Sequence, residues 1–158
     1  MNSDRNKHFR SVFSQFATGV TVVSFERENE ISGMTVNSFS SVSLDPPLVL
    51  FCPSLDCRFA QGANIGGLFT ISILAEEQTD ICLHFAGQTQ LKTPPWREGP
   101  QRPPVVRESL AYLRCELEAL HLHGDHYVAV GKVLDSEILR DGPPLMFFSG
   151  TYPKISLK

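Results

Sequence analysis

The sequence predicts a mainly β architecture with peripheral helices, an antiparallel barrel with the helices packed on its outside. Two observations carry this. About eight short strand patterns follow one another through turn signals rather than through crossover helices, which favours hairpins over βαβ units. The helical patterns stand only at the start of the chain and in its middle.

In order, Phe9, Val12, Phe13, Phe16 and Ala17 recur at i, i+3, i+4, i+7 and i+8, which makes an amphipathic helix with a wide apolar stripe. Ser3 or Asp4 is expected to cap it and Thr18-Gly19 to end it. The β-branched run 20–25 reads as a strand, the charged stretch 26–30 as a hairpin loop, and 31–36 as the returning strand. Alternation over 39–44 gives a third strand, stopped by Asp45-Pro46-Pro47, and the apolar run 48–52 a buried fourth. A short helix is expected over 58–63, a strand over 68–74, and a helix over 76–85 with Ile81, Cys82 and Phe85 on one side. Residues 88–104 show no periodicity and hold five of the eleven prolines and the only tryptophan, Trp96. A loop of that length is a functional lid or a link, and the lid, closing over a bound ligand, is the expectation here. Two long strands, 111–122 and 127–139, meet at His123-Gly124-Asp125, and a last short strand covers 145–148.

Length and composition set outer bounds. At 158 residues the chain is expected to form one domain, 1–158. A net charge of -3 leaves no electrostatic footprint for nucleic acid. No basic amphipathic helix points to a membrane surface, and no apolar run is long enough to span a bilayer. The first eight residues lack the apolar core of a signal peptide. Cys52, Cys57, Cys82 and Cys115 form no C-x-x-C pair, so reduced thiols and a cytoplasmic location are expected.

Three stretches bear on chemistry. Residues 33–43 place small hydroxyl and amide side chains on both faces of a strand pair. That suits a ligand rich in donors and acceptors, and equally a solvent-facing edge strand. His121-Leu122-His123-Gly124-Asp125-His126 matches a zinc-hydrolase signature letter for letter. No histidine follows His126, however, and a hairpin would part it from the other two. Arg58 at a helix start could anchor a phosphate, or simply pair with Asp56. No P-loop and no G-x-G-x-x-G is present.

Several segments keep one order along nearly the whole chain: Phe16-Ala17-Thr18-Gly19-Val20-Thr21-Val22-Val23; Gly33-Met34-Thr35-Val36-Asn37-Ser38; Ser41-Val42-Ser43-Leu44-Asp45-Pro46-Pro47; Gly67-Leu68-Phe69-Thr70-Ile71-Ser72-Ile73-Leu74; His84-Phe85-Ala86-Gly87; Leu113-Arg114-Cys115-Glu116; Gly124-Asp125-His126; and Val130-Gly131-Lys132-Val133. This ordered set resembles the flavin reductase-like family with the FMN-binding split-barrel fold. Within it the chain is most similar to the short reductase components of two-component aromatic monooxygenases. The resemblance implies a homodimeric NAD(P)H:flavin oxidoreductase that uses FMN or FAD with NADH or NADPH and passes reduced flavin to a separate oxygenase component.

It further implies that Met34, Thr35, Val36, Asn37 and Ser38 lie along the flavin with Ser41 close by, and that Cys52, Pro53 and Ser54 line the ring from the other side. His126 would orient the nicotinamide and Tyr152 close over the same pocket. Where many members hold the flavin phosphate with a Ser-x-Thr pair, this chain has Cys57 and Phe59, which leaves that contact to Arg58 and backbone amides. No metal and no obligatory catalytic acid or base is implied. The rival readings are a split-barrel electron carrier or redox sensor without reductase turnover, and a zinc hydrolase built on the histidine cluster.

Overall fold

The computed structural model describes residues 2–100 and 102–155. Its elements are α1 (Asn2–Phe13), β1 (Thr18–Gly19), β2 (Thr21–Arg27), β3 (Glu30–Val36), β4 (Ser40–Leu44), β5 (Pro47–Phe51), α2 (Arg58–Gly62), β6 (Leu68–Ile73), α3 (Thr79–Phe85), β7 (Ala111–His123), β8 (His126–Ile138) and β9 (Met146–Phe147). The mainly β, antiparallel expectation is met. Seven strands form one antiparallel sheet in the order β3-β2-β6-β7-β8-β5-β4, and β1 pairs with β9 beside it.

Local sequence explains the turns. Glu28 and Asn29 both take positive φ (54° and 65°), so β2 and β3 meet in a tight two-residue turn narrower than the loop expected over 26–30. Gly124, at φ 62°, lets β7 return directly as β8. Two register shifts in that long hairpin, at Arg114/Cys115 and Leu117/Ala119, bend it.

That bending curls the sheet. Phe51 on β5 and Phe69 on β6 are three strands apart, about 14 Å in a flat sheet, yet their ring centroids are 5.4 Å apart. Phe59 from α2 meets both and also Phe25, edge to face. The inner core therefore draws on β2, β3, β5, β6, β7, β8 and α2 together. A second cluster, with Val20, Val22, Leu74, Ile81, Cys82, Val106 and Leu145, packs α3 and β9 on the outside.

Three expectations need correction. The first helix ends at Phe13, and the chain turns through Phe16 with Gln15 N bonded to Val12 O and Phe16 N to Phe13 O. Asp4 lies inside its first turn rather than at a cap, and Ser3 lies outside the described side chains. Its apolar stripe is not covered: Phe9, Val12, Phe13 and Phe16 are 62%, 56%, 62% and 72% exposed. The contacts of the loop 88–104 fix where it lies. Its end lies against the outer face of the sheet, where Ser24 Oγ donates to Pro104 O at 2.6 Å and Thr70 Oγ1 to Pro103 O at 2.8 Å. Just beyond it, Ser72 Oγ accepts from Val106 N at 3.0 Å. Trp96, nearer its start, packs on Phe85 at 5.1 Å.

Candidate active site

The sheet leaves its two edges, β3 and β4, unpaired with each other, and the turn 37–39 joins them. That turn is held in place by Ser38, whose Oγ accepts from Cys52 N at 2.9 Å at the end of β5. The chain then runs beside the β7–β8 turn. Tyr127 N donates to Pro53 O at 2.9 Å, Leu55 N donates to Asp125 O at 3.1 Å, and Ser54 bridges to His126. In this way β3, β5 and β8 bring Asn37, Ser38, Cys52, Ser54 and His126 to one end of the sheet.

The remaining wall comes from the two ends of the described chain. β1 pairs with β9, and Ser149 N donates to Ser14 O at 3.0 Å, which ties the end of α1 to the turn after β9. Between these parts lies a groove of ≈ 720 Å³, lined by Arg10, Thr18, Asn37, Ser38, His126 and Phe147 among others. Next to it, a hollow of ≈ 540 Å³ shares Phe16, Thr18, Asn37 and Ser38. A smaller one of ≈ 140 Å³ is lined by Val20, Thr35, Asn37, Cys82, Phe147 and Tyr152. Asn37 borders all three. A separate cavity of ≈ 360 Å³ between α2 and Pro103 shares no lining residue with them. Its floor is Phe25, Phe59, Leu68 and Leu117, and its charged groups, Glu26 and Arg102, pair with each other at 3.6 Å.

Electrostatics distinguish the polar groove. His126 Nδ1 lies 2.8 Å from Asp125 Oδ1, and this contact holds the Asp125 carboxyl below its usual range, first by the hydrogen bond and then by charge. Cys82 Sγ donates to Tyr152 Oη at 3.3 Å, and Thr35 Oγ1 donates to Cys82 O at 2.7 Å. Burial pushes the Cys82 thiol up, and burial together with Cys82 pushes Tyr152 up to about 12. Both are therefore neutral near pH 7, and Tyr152, having accepted the thiol proton, still has its own to donate. Thr18 Oγ1 is buried with no hydrogen-bond partner.

The residues expected from sequence divide accordingly. Thr35, Asn37, Ser38, His126 and Tyr152 converge on the three hollows, and Cys52, Pro53 and Ser54 brace them through the bonds above. Met34 and Val36 turn their side chains into the inner core, so only their backbone is available to a ligand. Ser41 is exposed on the edge strand β4, as the solvent-facing reading of that stretch has it. Arg58 is exposed at the start of α2, lines none of the three hollows, and makes no ion pair with Asp56. Phe59 is 4% exposed within the aromatic core, which is why no phosphate-binding hydroxyl stands there. Cys57 Sγ instead accepts from Ala60 N at 3.4 Å and caps α2. Among the described residues no three His, Cys, Asp or Glu side chains gather to hold a metal ion. Arg10 and Phe147 went unnoticed in the sequence, since nothing local marks a residue of one chain end as facing the other.

Comparisons with known proteins place the chain in a family. The family model described as "Flavin reductase like domain" matches residues 13–156. The reductase subunit HsaB of a flavin-dependent monooxygenase from Rhodococcus jostii (strain RHA1) is 38% identical over 151 residues, covering 94% of this chain and 77% of the relative. An NADH-dependent flavin reductase from Rhodococcus sp is 38% identical over 156 residues, covering 95% and 86%. Among solved structures, the Streptomyces globisporus C-1027 NADH:FAD oxidoreductase SgcE6, in complex with NAD and FAD fragments, superposes with a TM-score of 0.88 at 33% identity, covering 97% of this chain and 94% of that one.

Proposed function

The chain belongs to the flavin reductase-like domain family, and from that premise we propose that it is an NADH-dependent flavin reductase supplying reduced flavin to a separate monooxygenase component. The observation that carries this reading in the molecule itself is the polar groove where Asn37, Ser38 and His126 meet Arg10 and the ring of Phe147. Amide, hydroxyl and imidazole groups beside an aromatic wall are the set that a ring rich in donors and acceptors needs. The residues thus fit a flavin, FMN or FAD.

Hydride transfer from nicotinamide C4 to flavin N5 is chemistry that the two rings supply when bound. The protein's part is to hold and orient. Asn37 and Ser38 would offer donors along one edge of a bound flavin, with backbone amides of 36–38 beside them, while Thr35, whose proton goes to Cys82 O, would offer only an acceptor. Cys52, Pro53 and Ser54 support that edge from β5. His126, fixed by Asp125, orients the nicotinamide, and Tyr152 closes the inner end with a neutral phenol. The apolar rings of Phe16 and Phe147 keep water from the stacked pair. No side chain has to move a proton for the hydride step.

The curled sheet, open between β3 and β4, is read as a split barrel, and the chain as a single domain that works as a homodimer. The uncovered stripe Phe9, Val12, Phe13 and Phe16 supports the dimer, because exposed apolar patches of this kind mark contact surfaces. Four free thiols suit the reducing cytoplasm, and among the described residues no helix is long and apolar enough to cross a membrane.

The deciding experiment follows NADH oxidation by the purified protein with and without FMN or FAD. Oxidation that saturates with added flavin is the expected result. Tight flavin binding without NADH turnover would favour an electron carrier, and no flavin binding would overturn the proposal.

A further inference from the structure

Charge in the groove runs against the chain as a whole. The protein carries a net charge of -3, yet no acidic side chain lines the ≈ 720 Å³ groove, whose only ionisable lining groups are Arg10 and His126. Among the described residues, Arg10 is the one permanent charge lining any of the three adjoining hollows. It stands in the last turn of α1, and the bond between Ser149 N and Ser14 O fixes that turn at the groove's rim. The helix macrodipole favours a cation at a helix C-terminus, but it does not dictate which way the cation faces. Here it faces the ligand groove.

Among the described residues nothing neutralises it through an ion pair. Asp125 feels its charge, but Asp125 is engaged with His126 Nδ1 at 2.8 Å. A guanidinium presents donors in a planar fork that matches phosphate oxygens, and it is less strongly hydrated than an ammonium, so it gives up water readily on binding. The Ser38 side chain lines the same groove and its hydroxyl can complete such a contact.

We infer that Arg10 is the phosphate anchor of this groove, holding a phosphate group of the flavin or of the nicotinamide dinucleotide from the rim opposite the turn 37–39. This rests on the reductase reading, and it adds a residue from α1 to a site otherwise built on strands. Arg10 acts on affinity and leaves the hydride step untouched.

The test compares wild-type protein with Arg10→Gln and Arg10→Lys, pairing each phosphate-bearing ligand with a phosphate-free counterpart. Equilibrium binding of FMN and of riboflavin is read by flavin fluorescence. KM is measured for NADH and for an N-alkyl dihydronicotinamide. The expected result is a loss of about tenfold for Arg10→Gln, the worth of one charge-assisted hydrogen bond, with FMN but not riboflavin, or with NADH but not its phosphate-free analogue. Whichever pair splits identifies the source of the phosphate, and Arg10→Lys, which keeps the charge but not the fork, recovers only part of the loss. Equal weakening of both members of a pair would make Arg10 a structural residue and overturn the inference, as would no change in any arm. If wild-type protein bound no flavin at all, the reductase reading itself would fall; wild-type binding that Arg10→Gln leaves intact would remove only the inference.

Discussion

A buried hydroxyl without a hydrogen-bond partner costs a protein about 1–3 kcal/mol, and Thr18 Oγ1 is held in that condition. Thr18→Val, which keeps the shape and removes the stranded hydroxyl, should therefore raise the urea midpoint of the ligand-free protein. A midpoint that falls would show that the hydroxyl finds a partner in solution. The thiols give a second prediction. Cys52 and Cys57 are partly exposed, whereas Cys82 and Cys115 are buried, and burial pushes Cys115 up to about 12. Iodoacetamide at mildly alkaline pH should label the first two before the others, as followed by peptide mass spectrometry. At this scale the sequence was informative where composition is unusual: Thr35, Asn37 and Ser38 stood out as polar residues crowded on a strand pair. It was silent on Arg10, whose role depends on a contact with residues more than a hundred positions away.

Strands and turns were legible wherever the pattern is local. The β2–β3 and β7–β8 hairpins follow from β-branched runs meeting Glu28-Asn29 and Gly124. What periodicity could not give is what covers a face. The stripe on α1 reads as core-facing, but the fold leaves it bare. Conversely, Ser24, Thr70 and Ser72 read as polar strand positions, yet all three are buried and clamp the segment 103–106. Their partners lie 80, 33 and 34 positions away, beyond the reach of any window. Packing of the curled sheet makes one glycine indispensable at this level. Gly131 on β8 lies under the ring of Phe69, and a Cβ there would collide with that ring and press on Cys115. Since Phe69 is locked among Phe51 and Phe59, Gly131→Ala should destabilise the protein by about 1–3 kcal/mol, measured as a fall in urea midpoint at unchanged m-value. A neutral result would mean that the aromatic core can shift.

For the molecule as a whole, two measurements bear on assembly and on alkaline tolerance. If α1 stripes cover one another between subunits, Phe9→Glu with Val12→Glu should convert a dimer to a monomer in size-exclusion chromatography with light scattering; an unchanged mass would assign the dimer contact elsewhere. Neither residue lines the groove, so the substitution addresses association alone. The pH dependence is carried by thiols and phenols that burial raises, Cys82, Tyr112, Cys115 and Tyr152, and the last two shift most. Cys115 goes from 9.0 to about 12 through burial, and Tyr152 from 10.0 to about 12 through burial and then Cys82. The folded chain therefore holds these protons more tightly than the unfolded chain does. Their contribution is fully present below pH 9 and is lost as pH rises from there to about 12. The urea midpoint should fall between neutrality and about pH 11, and Cys115→Ala should flatten that fall even though it lowers the midpoint overall. The pairing of β1 with β9 brings residues from both ends of the described chain to one wall of the groove. A protease cut between β8 and β9 would leave the β2–β8 sheet whole while freeing Phe147 and Gly150 from that wall, so clipping there would separate a folded body from a working groove.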